Sequence, residues 1–286
     1  QEQPASSHER NFDRFDISPA GTHVAVEIGN SAGEESDIWI LELERDTLTR
    51  LTFDDANDAV PIWSPDGQWV TFSSDRDDGA INLYRKRANG TGEVERLTTG
   101  TETQWPNSWS PDGSTLAFGE MARGRAGEIM FYRPGADPEV EVFLATPYWE
   151  WIPQFSPDGR FLAYSSGESG AAEVYVRSAD GLGPQIKVST SGGRDAQWAG
   201  QEELLYRAGD EIMSVRLSAE GDVLKPALPQ PVTELPVPQW SLRFRVSPDG
   251  QRILATKGPE SARGRVDPVV VVHWIDELED KVPAAK

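Results

Sequence analysis

One four-residue phrase recurs along this chain at a constant interval. The phrase begins at residues 18, 64, 110 and 156, in steps of 46 residues, and appears again at 247. The gap of 91 residues before the last copy leaves room for one more unit, whose degenerate phrase is Trp198-Ala199-Gly200-Gln201. Self-similarity at a period of this size indicates a repeat architecture, in which each unit packs against its neighbours. Six such units account for nearly all of the 286 residues.

Each unit contains the same series of short apolar segments. In the second unit they are Pro61-Ile62-Trp63 before the phrase, Trp69-Val70-Thr71-Phe72 after it, then Asn82-Leu83-Tyr84 and residues 94–98. Four short strands per repeat of this length are typical of a β-propeller. The sequence therefore predicts an all-β fold, a six-bladed β-propeller of four-stranded antiparallel blades.

The phrase itself is Ser-Pro-Asp-Gly in four copies and Ser-Pro-Ala-Gly in the first. Proline presets φ for a turn, aspartate bonds nearby backbone amides, and glycine supplies positive φ at the exit. The phrase thus predicts a hairpin between the first two strands of each unit. We interpret its carboxylates as structural rather than catalytic: Asp66, Asp112, Asp158 and Asp249.

The ends of the chain set the predicted domain boundaries. One propeller is predicted over 11–276, with tails at 1–10 and 277–286. The last unit supplies three clear strands, ending at Val269-Val270-Val271-Val272. The ring must then close with a strand from the N-terminal region or from outside this sequence. Residues 1–10 are otherwise expected to form a polar tail.

Composition excludes several kinds of partner. The formal net charge of −20 argues against nucleic acid and against anionic membrane surfaces. No apolar run approaches the ~18 residues that a membrane-spanning helix needs, so no membrane insertion is predicted. The absence of cysteine excludes thiolate chemistry and disulfides. Because a closed propeller hides its strand edges, we expect a monomer.

The motifs resemble a known family. The Ser-Pro-Asp-Gly hairpins, with Ser73-Ser74-Asp75-Arg76-Asp77 before Asn82-Leu83-Tyr84, resemble the TolB-type, WD40-like propeller repeats known as PD40. Segments 37–41, 48–53 and 271–278 resemble the C-terminal propeller of bacterial membrane-anchored serine/threonine protein kinases. The resemblance implies a noncatalytic sensor domain in the periplasm or another extracytoplasmic compartment. It also implies protein binding, because TolB-like propellers receive peptide segments of partners in their channel.

The loops that lead into the innermost strands predict a binding site at one mouth of the channel. Large aromatic side chains alternate there with acidic and basic ones, which suits an extended peptide or another envelope ligand. Trp63, Trp109 and Trp198, directly before the turn phrases, are interpreted instead as packing between blades. The predicted mouth consists of Asp54, Asp55, Asp58, Trp105, Asn107, Tyr148, Trp149, Glu150, Trp151, Arg194, Asp195, Trp240 and Arg243.

Enzymatic functions have weaker support in the sequence. It contains no His-Glu-x-x-His, no Gly-x-Ser-x-Gly and no phosphate-binding glycine loop. We therefore predict a noncatalytic module without a cofactor. The alternative is a metal-assisted polysaccharide lyase or hydrolase that uses the channel carboxylates Asp54, Asp58, Glu150 or Asp195. A calcium ion held by Asp75, Asp77 and Asp78 is a further alternative, although a solvated turn explains these residues equally well.

Overall fold

A computed structural model describes residues 2–8, 12–29, 35–77, 79–121, 124, 126–220, 223–234, 244–257 and 267–272. In these residues all regular structure is β-strand, and the strands form six antiparallel sheets. The fold is an all-β propeller of four-stranded antiparallel blades, as predicted. Within the described residues no helix is long and apolar enough to cross a membrane.

The chain begins with β1 (Glu2–Pro4), and the next five stretches of chain each form one blade. Blade 1 contains β2 (Phe12–Ile17), β3 (His23–Gly29), β4 (Ser36–Glu42) and β5 (Thr47–Arg50). Blade 2 contains β6 (Asp58–Trp63), β7 (Trp69–Ser74), β8 (Asn82–Arg87) and β9 (Glu95–Arg96). Blade 3 contains β10 (Thr103–Trp109), β11 (Leu116–Met121), β12 (Gly127–Tyr132) and β13 (Val140–Leu144).

The remaining strands follow the same order with one elaboration. Blade 4 contains β14 (Glu150–Phe155), β15 (Phe161–Ser166), β16 (Glu173–Ser178) and β17 (Ile186–Lys187). Blade 5 contains β18 (Arg194–Trp198), β19 (Glu203–Ala208), the long β20 (Glu211–Glu220), β21 (Val223–Pro226) and β22 (Gln230–Glu234). The first half of β20 pairs with β22 and its second half with β21, so a hairpin extends this blade.

A sixth sheet, here called the closing sheet, joins the two ends of the chain. It contains β23 (Phe244–Val246), β24 (Arg252–Lys257) and β25 (Asp267–Val272), and β1 pairs with β25 from Glu2 opposite Val271 to Pro4 opposite Val269. The N-terminal region thus supplies the fourth strand of this sheet. Residues 6–8 are also tied to blade 1, because Ser6 Oγ donates to Asp46 Oδ1 at 2.6 Å.

The first strands of the sheets surround a common axis. Each contacts the first strand of the next sheet, in the order β2, β6, β10, β14, β18 and β23, and β23 contacts β2 again. Each runs from one face of the ring, here called the mouth face, to a turn phrase on the opposite turn face. The apolar core lies between the sheets, as in the cluster of Val70, Phe72, Ile38 and Trp63 from blades 1 and 2.

The three tryptophans before the turn phrases pack between blades, as predicted. The indole N–H of Trp63 donates to the Asp16 carbonyl of blade 1 at 3.1 Å. Trp109 donates to Thr71 of blade 2 at 3.2 Å, and Trp198 donates to the Gln154 carbonyl of blade 4 at 3.2 Å. These indoles therefore link neighbouring blades and leave no free polar group.

The turn phrase has the predicted structural role. Asp66 Oδ1 accepts from Ser64 Oγ at 2.5 Å and from the Gln68 amide at 2.9 Å, while Gly67 has a φ of 68°. The Ser64 hydroxyl hydrogen bond is the largest effect on the pKa of Asp66, which is lowered. In the first phrase Ala20 provides no such acceptor, although Gly21 keeps a φ of 68°.

We expect Asp66→Ala to lower the free energy of unfolding by about 1 kcal/mol, because it removes local hydrogen bonds of the turn. The converse change, Ala20→Asp, should raise it, because the first turn gains the missing acceptor. Since the folded-state pKa of Asp66 is lowered, its contribution is present above the ordinary aspartate pKa and is lost as the pH falls through the lowered value. Urea denaturation at pH 7 and in acid measures both effects. Equal stability of Asp66→Ala and wild type would contradict this assignment.

Candidate functional site

At the mouth face of blade 2 the structure brings two predicted carboxylates together around one arginine. Arg76 Nη2 contacts both oxygens of Asp58 at 2.9 Å, and Nη1 donates to Asp54 Oδ2 at 2.7 Å. The Asp58 side chain is fully buried, whereas that of Asp54 is 60% exposed. Burial is the largest effect on the pKa of Asp58 and raises it, while Ser74 and Arg76 oppose that shift. Asp58 is therefore engaged within the chain.

The corresponding carboxylate of blade 4 is Glu150, and it has a different environment. Its Oε1 accepts from Thr146 Oγ1 at 2.7 Å and from Ser166 Oγ at 3.1 Å. Its Oε2 is buried and has no hydrogen-bond partner among the described residues, and the side chain is only 2% exposed. Burial raises the pKa of Glu150, and the negative charge of Glu168 raises it further.

Two aromatic side chains stand next to this carboxylate at the surface. Tyr148 is 47% exposed and Trp149 is 49% exposed, which is unusual for side chains of this size. The Trp149 indole lies against Gly127 of blade 3, where a β-carbon would come within 3.0 Å of the ring. Gly127 therefore leaves the space that holds Trp149 at the boundary between blades 3 and 4.

The other predicted residues of blades 3 and 4 lie deeper. Asn107 is buried, accepts from the Gly119 amide at 3.0 Å and, through its carbonyl, from Gln154 at 3.0 Å. Trp105 and Trp151 are half-buried near the beginnings of their strands. Asn107 thus joins two blades, and the two tryptophans lie between the core and the mouth.

In blade 5 a basic group was missed by sequence reasoning. Arg207 lies opposite Arg194 in the sheet, is 2% exposed, and its Nη2 has no hydrogen-bond partner among the described residues. The predicted Arg194 and Asp195 flank it, with Arg194 Nε 3.9 Å from Asp195 Oδ2. Burial lowers the pKa of Arg207, and the charge of Arg194 adds to that effect.

The remaining predicted positions are placed in part. Asp55 is exposed on the loop before β6. Trp240, Arg243 and Asp78 lie outside the described residues. Of the calcium candidates, Asp75 accepts from the Asn57 amide at 2.8 Å, and Asp77 accepts from the Tyr84 hydroxyl at 2.8 Å. The calcium site stays a prediction, and the described residues contain no group of three or more His, Asp or Glu that could hold a metal ion.

Cavities on the opposite, turn face have a different character. A cavity of about 730 Å³ lies between blades 1 and 2 and is lined by Pro19, His23, Ile40, Trp63 and Gly67 among others. Smaller cavities of about 370 and 360 Å³ lie beside the turn phrases of blades 2 to 4. Because similar grooves recur at successive blade junctions, we attribute them to the repeat geometry rather than to one specific site.

We expect Arg76→Met to lower the free energy of unfolding by about 3–5 kcal/mol, because it leaves the Asp58 charge buried without a counter-ion. The double variant Arg76→Met/Asp58→Asn should recover part of that loss, since the uncompensated charge is gone. Chemical denaturation of the two variants and wild type at pH 7 tests this. A double variant less stable than the single one would contradict the ion-pair assignment.

Glu150→Gln should change stability in a pH-dependent way. The folded-state pKa of Glu150 is raised, so its favourable contribution is present at low pH and is lost as the pH rises through the folded-state value. The free energy of unfolding of Glu150→Gln, relative to wild type, should therefore increase from pH 4 to pH 7. Glu93→Gln, which replaces an exposed carboxylate on the turn face, is the matched control. An equal change in Glu150→Gln and in the control would contradict the assignment.

Sequence comparison finds short matches to two bacterial proteins. An uncharacterized protein of Agrobacterium fabrum is 35% identical over 69 residues, covering 24% of this chain and 23% of that protein. An uncharacterized peptidase of Bacillus subtilis is 34% identical over 85 residues, covering 28% of this chain and 13% of the peptidase. The matched region thus spans less than a quarter of either relative.

Solved structures with the same fold include a putative TolB and enzymes. A putative TolB from Agrobacterium tumefaciens superposes with a TM-score of 0.62 at 18% identity, over 84% of this chain and 87% of that one. An oligogalacturonate lyase in complex with manganese gives 0.63 at 14%, over 93% and 90%. A puromycin-hydrolyzing peptidase of Mycobacterium tuberculosis gives 0.63 at 17%, over 88% and 44%.

At these identities the structural likeness shows the fold alone. The family assignment comes from the sequence, since the model of the TolB beta propeller domain matches residues 11–202, well over half of the chain. That range contains blades 1 to 4 and the first strand of blade 5. The chain belongs to the TolB beta propeller domain family.

Proposed function

We propose that this chain is a noncatalytic binding module that takes a peptide segment of a partner, or another envelope ligand, at its mouth face. The observation that carries the proposal is the pair of half-exposed aromatic side chains, Tyr148 and Trp149, beside the buried and incompletely bonded Glu150. Such a combination supplies contact area from rigid rings and orientation from a polar group.

Rigid aromatic rings favour binding because they lose little conformational entropy when a ligand covers them. Trp149 is already held against Gly127, so its exposed face is preorganised. Half-exposed tryptophan and tyrosine also leave apolar surface in contact with water in the free protein. Covering that surface releases the water, which provides a driving force for association.

The alternative, a metal-assisted lyase or hydrolase, has weaker support from the carboxylates. Asp58 is bonded to Arg76 through both oxygens, so its use as a base or metal ligand would require breaking a buried ion pair. The lyase with the same fold is a relative in fold at 14% identity, and its activity does not transfer on that basis.

The wider organisation is part of the proposal. We infer a six-bladed ring in which the closing sheet is the sixth blade, supported by the contact of β23 with both β18 and β2. We further infer a monomeric sensor in the periplasm or another extracytoplasmic compartment. The resemblance of segments 37–41 and 48–53 to the C-terminal propeller of membrane-anchored kinases supports that role.

Trp149→Ala/Trp151→Ala should abolish ligand binding while the fold is retained, because it removes the aromatic surface of the mouth. The probe is a random-peptide phage library selected against the immobilised wild-type chain, followed by titration of the recovered peptides against both proteins. Circular dichroism and thermal denaturation confirm folding. The matched control is Leu182→Ala, which removes a side chain that is 71% exposed away from the mouth.

Peptides that bind wild type and the double variant equally would overturn the placement of the site. The catalytic alternative is tested by incubating wild type with oligogalacturonate in the presence of manganese or chelator. Turnover that stops with chelator would overturn the noncatalytic assignment.

A further inference from the structure

Blade 2 contains a complete binding site for a guanidinium group, formed within the chain. The Arg76 guanidinium is bonded to both oxygens of Asp58 at 2.9 Å. Its Cζ lies 5.4 Å from the centre of the Phe72 ring and 5.2 Å from that of Tyr84. A buried carboxylate and a pair of rings thus hold one cation, as charge pairing and cation–π attraction favour.

Blade 4 repeats this site position by position. Glu150 pairs with Ser166 in the sheet as Asp58 pairs with Ser74. Tyr164 lies opposite Tyr175 as Phe72 lies opposite Tyr84, and the ring pairs are alike, with centres 6.0 and 6.4 Å apart and interplanar angles of 23° and 25°.

The hydroxyl partners of the carboxylate are also repeated. In blade 4 they are Thr146 and Ser166, and in blade 2 the hydroxyls of Ser74 and Thr52 lower the pKa of Asp58; the serines are equivalent, whereas the threonines come from different positions of the preceding loop. After the second strand the same local hydrogen bond forms in both blades. The Arg76 amide donates to Ser74 Oγ at 3.3 Å, and the Glu168 amide donates to Ser166 Oγ at 3.2 Å.

The arginine itself is what blade 4 lacks. Its position is occupied by Glu168, which accepts from Gln185 Nε2 at 2.5 Å and brings a second negative charge towards Glu150. Glu150 Oε2 consequently has no partner in the described part of the chain, although it is out of contact with solvent. An unpaired buried carboxylate oxygen is costly, so a donor that reaches it would be bound favourably.

We propose that blade 4 binds the arginine side chain of a peptide ligand, with Glu150 and Glu168 pairing its charge and the Tyr164–Tyr175 ring pair and Trp149 providing the apolar contact. This assignment rests on the proposed function and specifies its ligand. Arginine fits better than lysine because a flat guanidinium bonds a carboxylate through two donors and stacks on rings. The net charge of −20 favours association of cationic peptides with the chain as a whole. Entry requires a neighbouring side chain to rotate, which is common at binding interfaces.

The test measures binding of N-acetyl-arginine amide to the full chain by ligand-observed NMR. N-acetyl-lysine amide and the neutral N-acetyl-citrulline amide serve as comparison ligands. Wild type should bind the arginine derivative most tightly. Glu150→Gln should bind it at least about 30-fold more weakly, as for loss of one partner of a buried charge pair. Glu93→Gln changes the net charge equally on the turn face and should bind like wild type.

Glu168→Arg provides a second variant that does not depend on loss of structure. It restores the arginine of blade 2 at the corresponding position, so the new side chain should pair with Glu150, raise the melting temperature and exclude the ligand. Loss of binding together with a higher melting temperature would support the assignment, because a general loss of structure would lower the melting temperature as well as the affinity.

Three results would overturn this inference: no binding of the arginine derivative to wild type, undiminished binding to Glu150→Gln, or equal binding of the lysine or citrulline derivative. If library peptides still bind wild type and fail to bind Trp149→Ala/Trp151→Ala, only the arginine assignment fails. If the library peptides bind wild type and Trp149→Ala/Trp151→Ala equally, the proposed function fails together with the arginine assignment.

Discussion

A propeller holds together only if its first and last sheets are joined, and here one half-buried carboxylate makes much of that junction. Asp16 of blade 1 accepts from Arg245 of the closing sheet at 2.8 Å and from the Trp63 amide of blade 2 at 2.8 Å. Burial raises the pKa of Asp16, and Arg245 opposes that shift. Because both hydrogen bonds converge on one carboxylate, Asp16 links three neighbouring sheets in one geometry. The pairing of β1 with β25 adds a backbone junction at the outer side of the same sheet.

The innermost strands of blades 2, 4 and 5 share a second constraint, a residue with positive φ at the same position of the repeat. Val60, Ile152 and Asp195 each stand three residues before the aromatic residue that precedes the turn, and each has a positive φ near 55°. That conformation is strained for β-branched residues and coincides with a register shift in each strand. In blade 2 the strained Val60 amide donates to the buried Glu27 carboxylate of blade 1 at 2.9 Å. Blade 1 therefore stabilises the bulge in the innermost strand of blade 2.

The sequence predicts the features that recur in every repeat, such as strands and turns. It does not predict which side chains meet across a sheet or between blades. The period and the turn phrase predict strand order and hairpins, because turn formation depends on neighbouring residues. Trp63, Trp109 and Trp198 are identified as packing residues because they occupy the same position before the turn phrase. The pairing of Asp58 with Arg76 and the burial of Asn107 were not predictable, since both depend on which side chains meet across a sheet or between blades. Arg207 was missed because nothing local marks it as buried; its burial arises from the fold of blade 5, where its Nε donates to the Gly209 carbonyl at 2.7 Å and its Nη2 lies 3.8 Å from Asp210 Oδ1. The sequence predicted that the closing sheet needs a fourth strand, and the structure shows that β1 supplies it.

Comparison of equivalent positions in the repeat shows how blade 4 comes to have an unpartnered buried carboxylate oxygen. The residue five positions before the aromatic is Asp58 in blade 2, Gln104 in blade 3, Glu150 in blade 4 and Gly193 in blade 5. Asp58 is neutralised by Arg76, and Gln104 is satisfied by Thr98 and Glu120 at 2.5 and 2.7 Å. Gly193 leaves no room for a side chain, since a β-carbon would lie 2.7 Å from that of Ser189. Glu150 alone of these four carries an unpartnered buried atom in the described residues. Blade 4 has Glu168 where blade 2 has Arg76, so its buried carboxylate lacks the internal partner, while Glu150 still pairs with Ser166 as Asp58 pairs with Ser74.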